Sequence, residues 1–268
     1  MTDTPDQQQR LLLAAYDAQL REAAEMASTT SYDRAGPLWR GKFGGRGFVS
    51  YRSLDGLDGP ALDELIAQTV EHYRADPGIT AFEWKTRGHD APPDLAARLI
   101  AQGFQAQEQE TVMVGEAAKL AQDVSLPAGV TVGRIDTLPD ASTALIRAAE
   151  ATGKVFGETL SVEEFLRPLR HNPGQVEIWA AQTRQETICV GRLELIPGSD
   201  FAGLWGGGTL PQWRGQGVYR ALTAARARAA LARGVRSLHS DCTAFSRPIL
   251  ERSGLLPITT TTPYIWTR

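Results

Sequence analysis

The sequence predicts an α/β protein, more closely an α+β arrangement of mixed, mostly antiparallel sheets flanked by helices, laid out as two similar lobes in tandem. Three observations carry this. Strand-like runs alternate with helical periods along nearly the whole chain. A helix-glycine-strand block near residue 99 returns near residue 250. An apolar run at 201–208 enters a glycine-rich turn and then an Ala- and Arg-rich helix, a junction suited to holding an anion.

In order along the chain, Thr4 and Pro5 read as the N-cap and first residue of a helix, with Gln7 closing a capping box. Leu12, Tyr16 and Leu20 form its apolar edge, and it is expected to reach about residue 26. Residues 28–47 are rich in Ser, Thr and Gly and predict a loop, with Leu38 and Trp39 packed inward. A strand over 47–54 precedes a helix over 60–74, whose Leu62, Leu65, Ile66, Val70 and Tyr73 share one face. After the turn Asp76-Pro77-Gly78 come a strand over 79–86, a helix over 92–102 stopped by Gly103, and a strand over 110–114. The charged, Ala-rich stretch 116–126 ends at Pro127 and reads as a linker, which gives domains 1–120, including the N-terminal helix, and 127–268. The second domain is expected to hold a strand over 130–135, helices over 139–151 and 162–170, and a hairpin of 175–183 with 187–196 around Arg184-Gln185-Glu186. The run 201–208 follows, then a helix over 218–233 stopped by Gly234, and a further strand, a helix and a last strand over 261–266.

The block Leu99-Ile100-Ala101-Gln102-Gly103-Phe104 matches Leu250-Glu251-Arg252-Ser253-Gly254-Leu255 at an offset of 151, which duplication explains economically. On that alignment the junction Ser53-Leu54-Asp55-Gly56-Leu57-Asp58-Gly59-Pro60 stands where the second half has its arginine and glycines, and Asp55 and Asp58 would repel a phosphate. One anion site is expected, not two.

Composition sets outer limits. The 268 residues suffice for one large or two ordinary domains, and 42% hydrophobic with 22% charged residues is ordinary for a globular chain. A net charge of −3 offers no general attraction to nucleic acid or an anionic membrane, so neither partner is expected. The polar start and the lack of a bilayer-length apolar run lead to the expectation of a cytoplasmic protein. Cys189 and Cys242 suit a reducing compartment and read as small buried residues. On a strand, His239 and Cys242 point to opposite faces, so they share no metal and none is expected. No Gly-Lys-Ser/Thr follows the glycine loop, which argues against a nucleoside triphosphate site.

The residues Arg214-Gly215-Gln216-Gly217-Val218-Tyr219 resemble the acyl-CoA pyrophosphate loop of the GNAT superfamily of N-acyltransferases, whose pattern is Gln/Arg-x-x-Gly-x-Gly/Ala, with Tyr219 in place of the last small residue. Phe82-Glu83-Trp84-Lys85 and His89-Asp90-Ala91-Pro92-Pro93-Asp94-Leu95 are similar to the degenerate first lobe of two-lobed members. The resemblance implies acetyl-CoA as co-substrate and a small-molecule or protein amine as acceptor. It also implies a cofactor site of Thr209, Leu210, Arg214, Gly215, Gln216, Gly217, Val218 and Tyr219. Members often carry a carboxylate on the fourth strand as base and a tyrosine before the last glycine turn as acid. Here that strand has no acid, and Leu250 replaces the tyrosine. Glu194, Asp200, Asp241 and Glu158 are the alternative carboxylates, each also readable as a solvated surface group. Tyr219 and Tyr264 are the alternative proton donors, and both suit packing. Arg220, Arg226, Arg228 and Arg233 read as a mostly solvated helix face. A non-catalytic acyl-CoA-binding or sensing module and a scaffold retaining only the fold stay open beside the enzyme.

Overall fold

The computed structural model describes residues 5–157 and 159–268, which leaves the expected N-cap Thr4 and the candidate Glu158 outside the described residues. The chain divides into two units, and the division is not a single cut. The first unit comprises the described part of Met1–Met113 with Asp241–Pro248 and Pro257–Arg268, and the second comprises Val114–Ser240 with Ile249–Leu256.

In the first unit α1 (Pro5–Gln19) ends well before residue 26. Arg21 turns its guanidinium to Asp90 at 2.8 Å, Glu22 takes a left-handed φ of 59°, and a 3-10 turn (Glu22–Met26) follows. The expected loop over 28–47 is instead the antiparallel meander β1 (Ser31–Ala35), β2 (Leu38–Phe43) and β3 (Arg46–Ser50). β1 is an exposed edge strand with no buried face, so it lacks the apolar alternation that marks a strand. The short glycine turns at 36–37 and 44–45 were its available signal. α2 (Gly59–Arg74) then buries Leu62, Ile66, Val70 and Tyr73 and returns the chain to β4 (Ala81–Arg87), parallel to β3. α3 (Leu95–Ala101), β5 (Gln105–Ala106) and β6 (Glu110–Glu116) complete this half.

The two faces of β4 differ. Phe82 and Trp84 enter the core with Tyr73, Phe104 and Trp266, where Tyr73 stacks on Phe82 at 4.3 Å between centroids. Glu83, Lys85 and Arg87 lie on the other face. There Arg87 donates to the Tyr16 hydroxyl at 2.8 Å and to Glu25 at 2.7 Å, while Ser50 also donates to Glu25. Burial pushes the Tyr16 phenol up to about 12.

In the second unit α4 (Ala117–Leu120) precedes β7 (Thr131–Arg134), α5 (Ala141–Phe156) and α6 (Val162–His171). A capping box between Ser161 and Glu164 starts α6. β8 (Val176–Gln182), β9 (Thr187–Leu195) and β10 (Phe201–Thr209) continue an antiparallel series from β7. α7 (Val218–Leu231) crosses over to β11 (Ser237–Cys242), parallel to β10. α8 (Arg247–Ser253) and β12 (Leu256–Thr267) end the chain.

The duplicated blocks fold alike. β3-α2-β4 and β10-α7-β11 are both parallel pairs joined by a helix. α3 and α8 end with the same bonds: Phe104 N–H to Leu99 O and Leu255 N–H to Leu250 O, each 3.1 Å, and Gly103 N–H to Ile100 O and Gly254 N–H to Glu251 O, each 3.0 Å. The expected second domain 127–268 and the second compact unit do not coincide at the end of the chain. Residues 261–267 pair antiparallel with β4, so backbone hydrogen bonding gives the final strand to the first unit. The latter part of β6, from Val114, belongs to the second.

Candidate acyl-CoA site

The site is built on a fault in β10. Trp205 pairs with Arg192 and Gly208 with Val190, so Gly206 and Gly207 together oppose the single residue Gly191. Gly206 takes the left-handed φ of 56° that starts such a bulge. A side chain approaches each glycine in turn. A Cβ at Gly207 would stand 2.8 Å from the Tyr219 hydroxyl, one at Gly206 3.7 Å from Arg192 Nη1, and one at Gly208 3.4 Å from Phe156 Cζ. Tyr219 comes from α7, which packs on Cys189, and Phe156 from α5, which packs on Val190, so they approach opposite faces of the sheet.

β10 and β11 also part company. Their parallel pairing covers Phe201, Ala202 and Gly203 only, and the Ser240 hydroxyl then bonds the Leu204 carbonyl at 2.9 Å. Among the described residues β10 continues to Thr209 with strand pairing on the β9 side alone. The open side leaves backbone that an extended segment could pair with.

The open edge leads to a helix start. Leu210 N–H bonds Ile188 O at 2.9 Å, residues 211–213 form a 3-10 turn, and Arg214 Nε closes back on the Thr209 carbonyl at 3.1 Å. Gln216 reaches the Gln212 carbonyl at 3.0 Å. Gly217, at φ 79°, is the N-cap of α7, and the bond from Ala221 N–H to Gly217 O is 2.9 Å. Val218, Tyr219 and Arg220 therefore present amides ahead of that bond, with no capping side chain and no acidic residue in the first turn. Buried Val218 and Leu222 anchor this end of the helix in the core. Such a helix start can hold an anion through backbone amides.

The residues expected to bind the cofactor divide by their place in the fold. Thr209 and Leu210 are buried, and Thr209 also donates to Cys189 Sγ at 3.1 Å, so their polar groups brace the strand end. Burial pushes the Cys189 thiol up to about 11, which makes it an inert core group at neutral pH. Gly215, Gln216, Gly217 and Val218 form the turn into α7. At the matching place in the first unit, Pro60 removes one amide from the start of α2, and Asp55 and Asp58 are exposed beside it.

Among the catalytic candidates, Tyr219 lies against the bulge. Glu194 sits opposite Gly203 and accepts from Arg192 Nε at 2.9 Å. Asp241 falls in the first unit, where Lys85 binds it at 2.7 Å with the carboxylate only 4% exposed. An already paired, buried carboxylate is poorly placed as a base. Tyr264 is opposite Trp84 in the first unit's apolar core. Leu250 is buried, and Asp200 is an exposed turn residue. Arg226 corrects the solvated-face reading: it is fully buried on Gly191, whose missing side chain makes the room. Sequence reasoning also missed Arg192, Phe156 and the Trp205–His239 edge contact at 5.4 Å, for which the triple glycine 206–208 was the only signal. Among the described residues no group of three or more His, Cys, Asp or Glu could hold a metal, and no helix is long and apolar enough to cross a membrane.

No family model and no curated protein matches the chain by sequence. Solved structures do match its fold. A GCN5-related N-acetyltransferase from Kribbella flavida superposes with a TM-score of 0.65 at 19% identity, covering 90% of this chain and 94% of that one. A tandem GNAT protein from the clavulanic acid biosynthesis pathway gives 0.64 at 14% identity, covering 97% and 94%. A GCN5-related N-acetyltransferase from Sphaerobacter thermophilus gives 0.59 at 15% identity, covering 86% and 76%. With its repeated parallel crossovers and matching helix ends, the chain has the two-lobed GNAT fold.

Proposed function

We propose that the protein is an N-acetyltransferase that takes the acetyl group of acetyl-CoA to a primary amine. The observation that carries this reading is the run from open strand edge to amide cradle in one continuous segment, 204–220, which suits a ligand with an extended arm and a pyrophosphate. The amine nitrogen forms a bond to the thioester carbonyl carbon, the C–S bond breaks, and the thiolate takes a proton. The Tyr219 hydroxyl, set against the bulge at Gly207, is the group we assign as its donor. No carboxylate stands on β10, so the amine loses its proton through water, and turnover should rise with pH following the acceptor's own pKa.

Two measurements test this. Calorimetry should detect acetyl-CoA binding, and release of free CoA with an amine panel should detect turnover. Tyr219→Phe is expected to lower kcat by more than tenfold, general-acid help being worth about 10²–10⁴-fold, with acetyl-CoA affinity within about threefold of wild type. A smaller loss removes Tyr219 from the mechanism. The engagement of Asp241 by Lys85 and of Tyr264 by the core favours a second reading, a non-catalytic acyl-CoA-binding module. Tight binding without turnover on any amine would select it.

A further inference from the structure

Resting on that acyl-transfer reading, we propose that the acceptor is a primary amine that also carries a carboxylate, and that Arg192 recognises it. Arg192 is fixed from two directions. Beneath the sheet, the buried Arg226 guanidinium donates through Nη1 to the Arg192 carbonyl at 2.9 Å and fills the space where a Cβ at Gly191 would stand, 2.6 Å away. Along the strand, Glu194 holds Arg192 Nε at 2.9 Å. Neither Nη of Arg192 has an acceptor among the described residues, and the side chain is 26% exposed at the bulge. A pinned guanidinium presenting its two terminal nitrogens is the fork that a carboxylate fills with two parallel bonds.

The surroundings narrow the class. Arg192 and Glu194 lie side by side on the α5 face of the sheet, so a cation and an anion stand where an amino acid has the opposite pair. Together they are net neutral and give a polyamine or other polycation no advantage. Phe156, 51% exposed at the end of α5 and close to Gly208, adds an apolar wall on the same face. An α-amino acid with an apolar side chain meets all three groups.

The test uses the full chain, acetyl-CoA and the twenty standard amino acids, each matched with its amide and its decarboxylated amine, read by release of free CoA. The best amino acid should exceed both matched amines at least tenfold in kcat/KM. Arg192→Gln should raise its KM more than tenfold while KM for acetyl-CoA stays within twofold, and Arg192→Lys should recover only part, since an ammonium lacks the fork. Thermal melts check folding, and if Arg192→Gln does not fold, Arg192→Lys must show the same rise in acceptor KM alone. Equal or better turnover of the amides or decarboxylated amines overturns the inference while leaving acetyl transfer standing. So does an equal loss on all acceptors in Arg192→Gln. A protein that binds acetyl-CoA and turns over none of the panel also overturns the inference, and leaves only acyl-CoA binding standing. Absence of acetyl-CoA binding overturns the reading beneath it.

Discussion

Gly217→Val is expected to weaken acetyl-CoA binding by at least a hundredfold in a protein that still folds. Gly217 holds φ 79° at the head of α7, and a valine Cβ there would stand 3.5 Å from the Ser125 carbonyl and from Val124 Cγ1. Left-handed backbone costs a residue with a side chain about 1–2 kcal/mol, so the variant relieves the strain by turning the amides of residues 218–220 away. Hydrogen bonds to a charged group are worth about 1.5–3 kcal/mol each, and losing two amounts to roughly 10²–10⁴-fold in affinity. Calorimetry read beside a thermal melt decides it. Affinity within about threefold of wild type in a folded variant would remove the pyrophosphate from this loop.

Arg87→Leu should be the most damaging single change in the first unit, lowering stability by about 3–5 kcal/mol because it strands Glu25 without its cation. The Arg87 side chain is 1% exposed and that of Glu25 16%, so water does little to compensate. Burial acts to raise the Glu25 pKa, but Arg87 and Lys85 outweigh it and hold the carboxyl below its ordinary value. A depressed carboxylate stabilises the fold above its unfolded pKa, and that contribution is lost as pH falls through the folded value. With Arg87 gone, burial is opposed less and Glu25 titrates upward. The deficit against wild type should then be widest at neutral pH and shrink towards about pH 4, where the carboxyl is protonated. Urea denaturation across that range measures it. Adding Glu25→Gln to the variant should recover part of the loss, and a double variant as unstable as the single one would show that packing, not the stranded charge, sets the cost.

Much of the second unit was legible because its signals are local. Gly215 and Gly217 mark a turn entering a helix, and the matching ends of α3 and α8 could be seen as two six-residue strings. What was illegible is what only tertiary contact decides. β1 is exposed along almost its whole length, and its strand character comes from pairing with β2. Arg226 looks like one of several helix arginines until the position opposite it proves to be Gly191. Asp241 and Tyr264 were reasonable candidates by resemblance, but Lys85 and Trp84 claim them through residues more than 150 positions away. The Arg192–Glu194 pair is an ordinary i, i+2 pair in sequence and acquires meaning only from the bulge beside it.

The pairing of β12 with β4 also governs the order in which the chain can be assembled during synthesis. β1 to β4 are made first, yet the part of β12 that closes the free side of β4 begins at residue 261, about 170 residues later. At about 5–20 residues per second, that side waits roughly ten to forty seconds with unpaired backbone exposed. A nascent or truncated chain ending before 261 thus carries an adhesive strand edge, and the exposure of this edge to aggregation is concentrated in the interval before residues 261–267 are added.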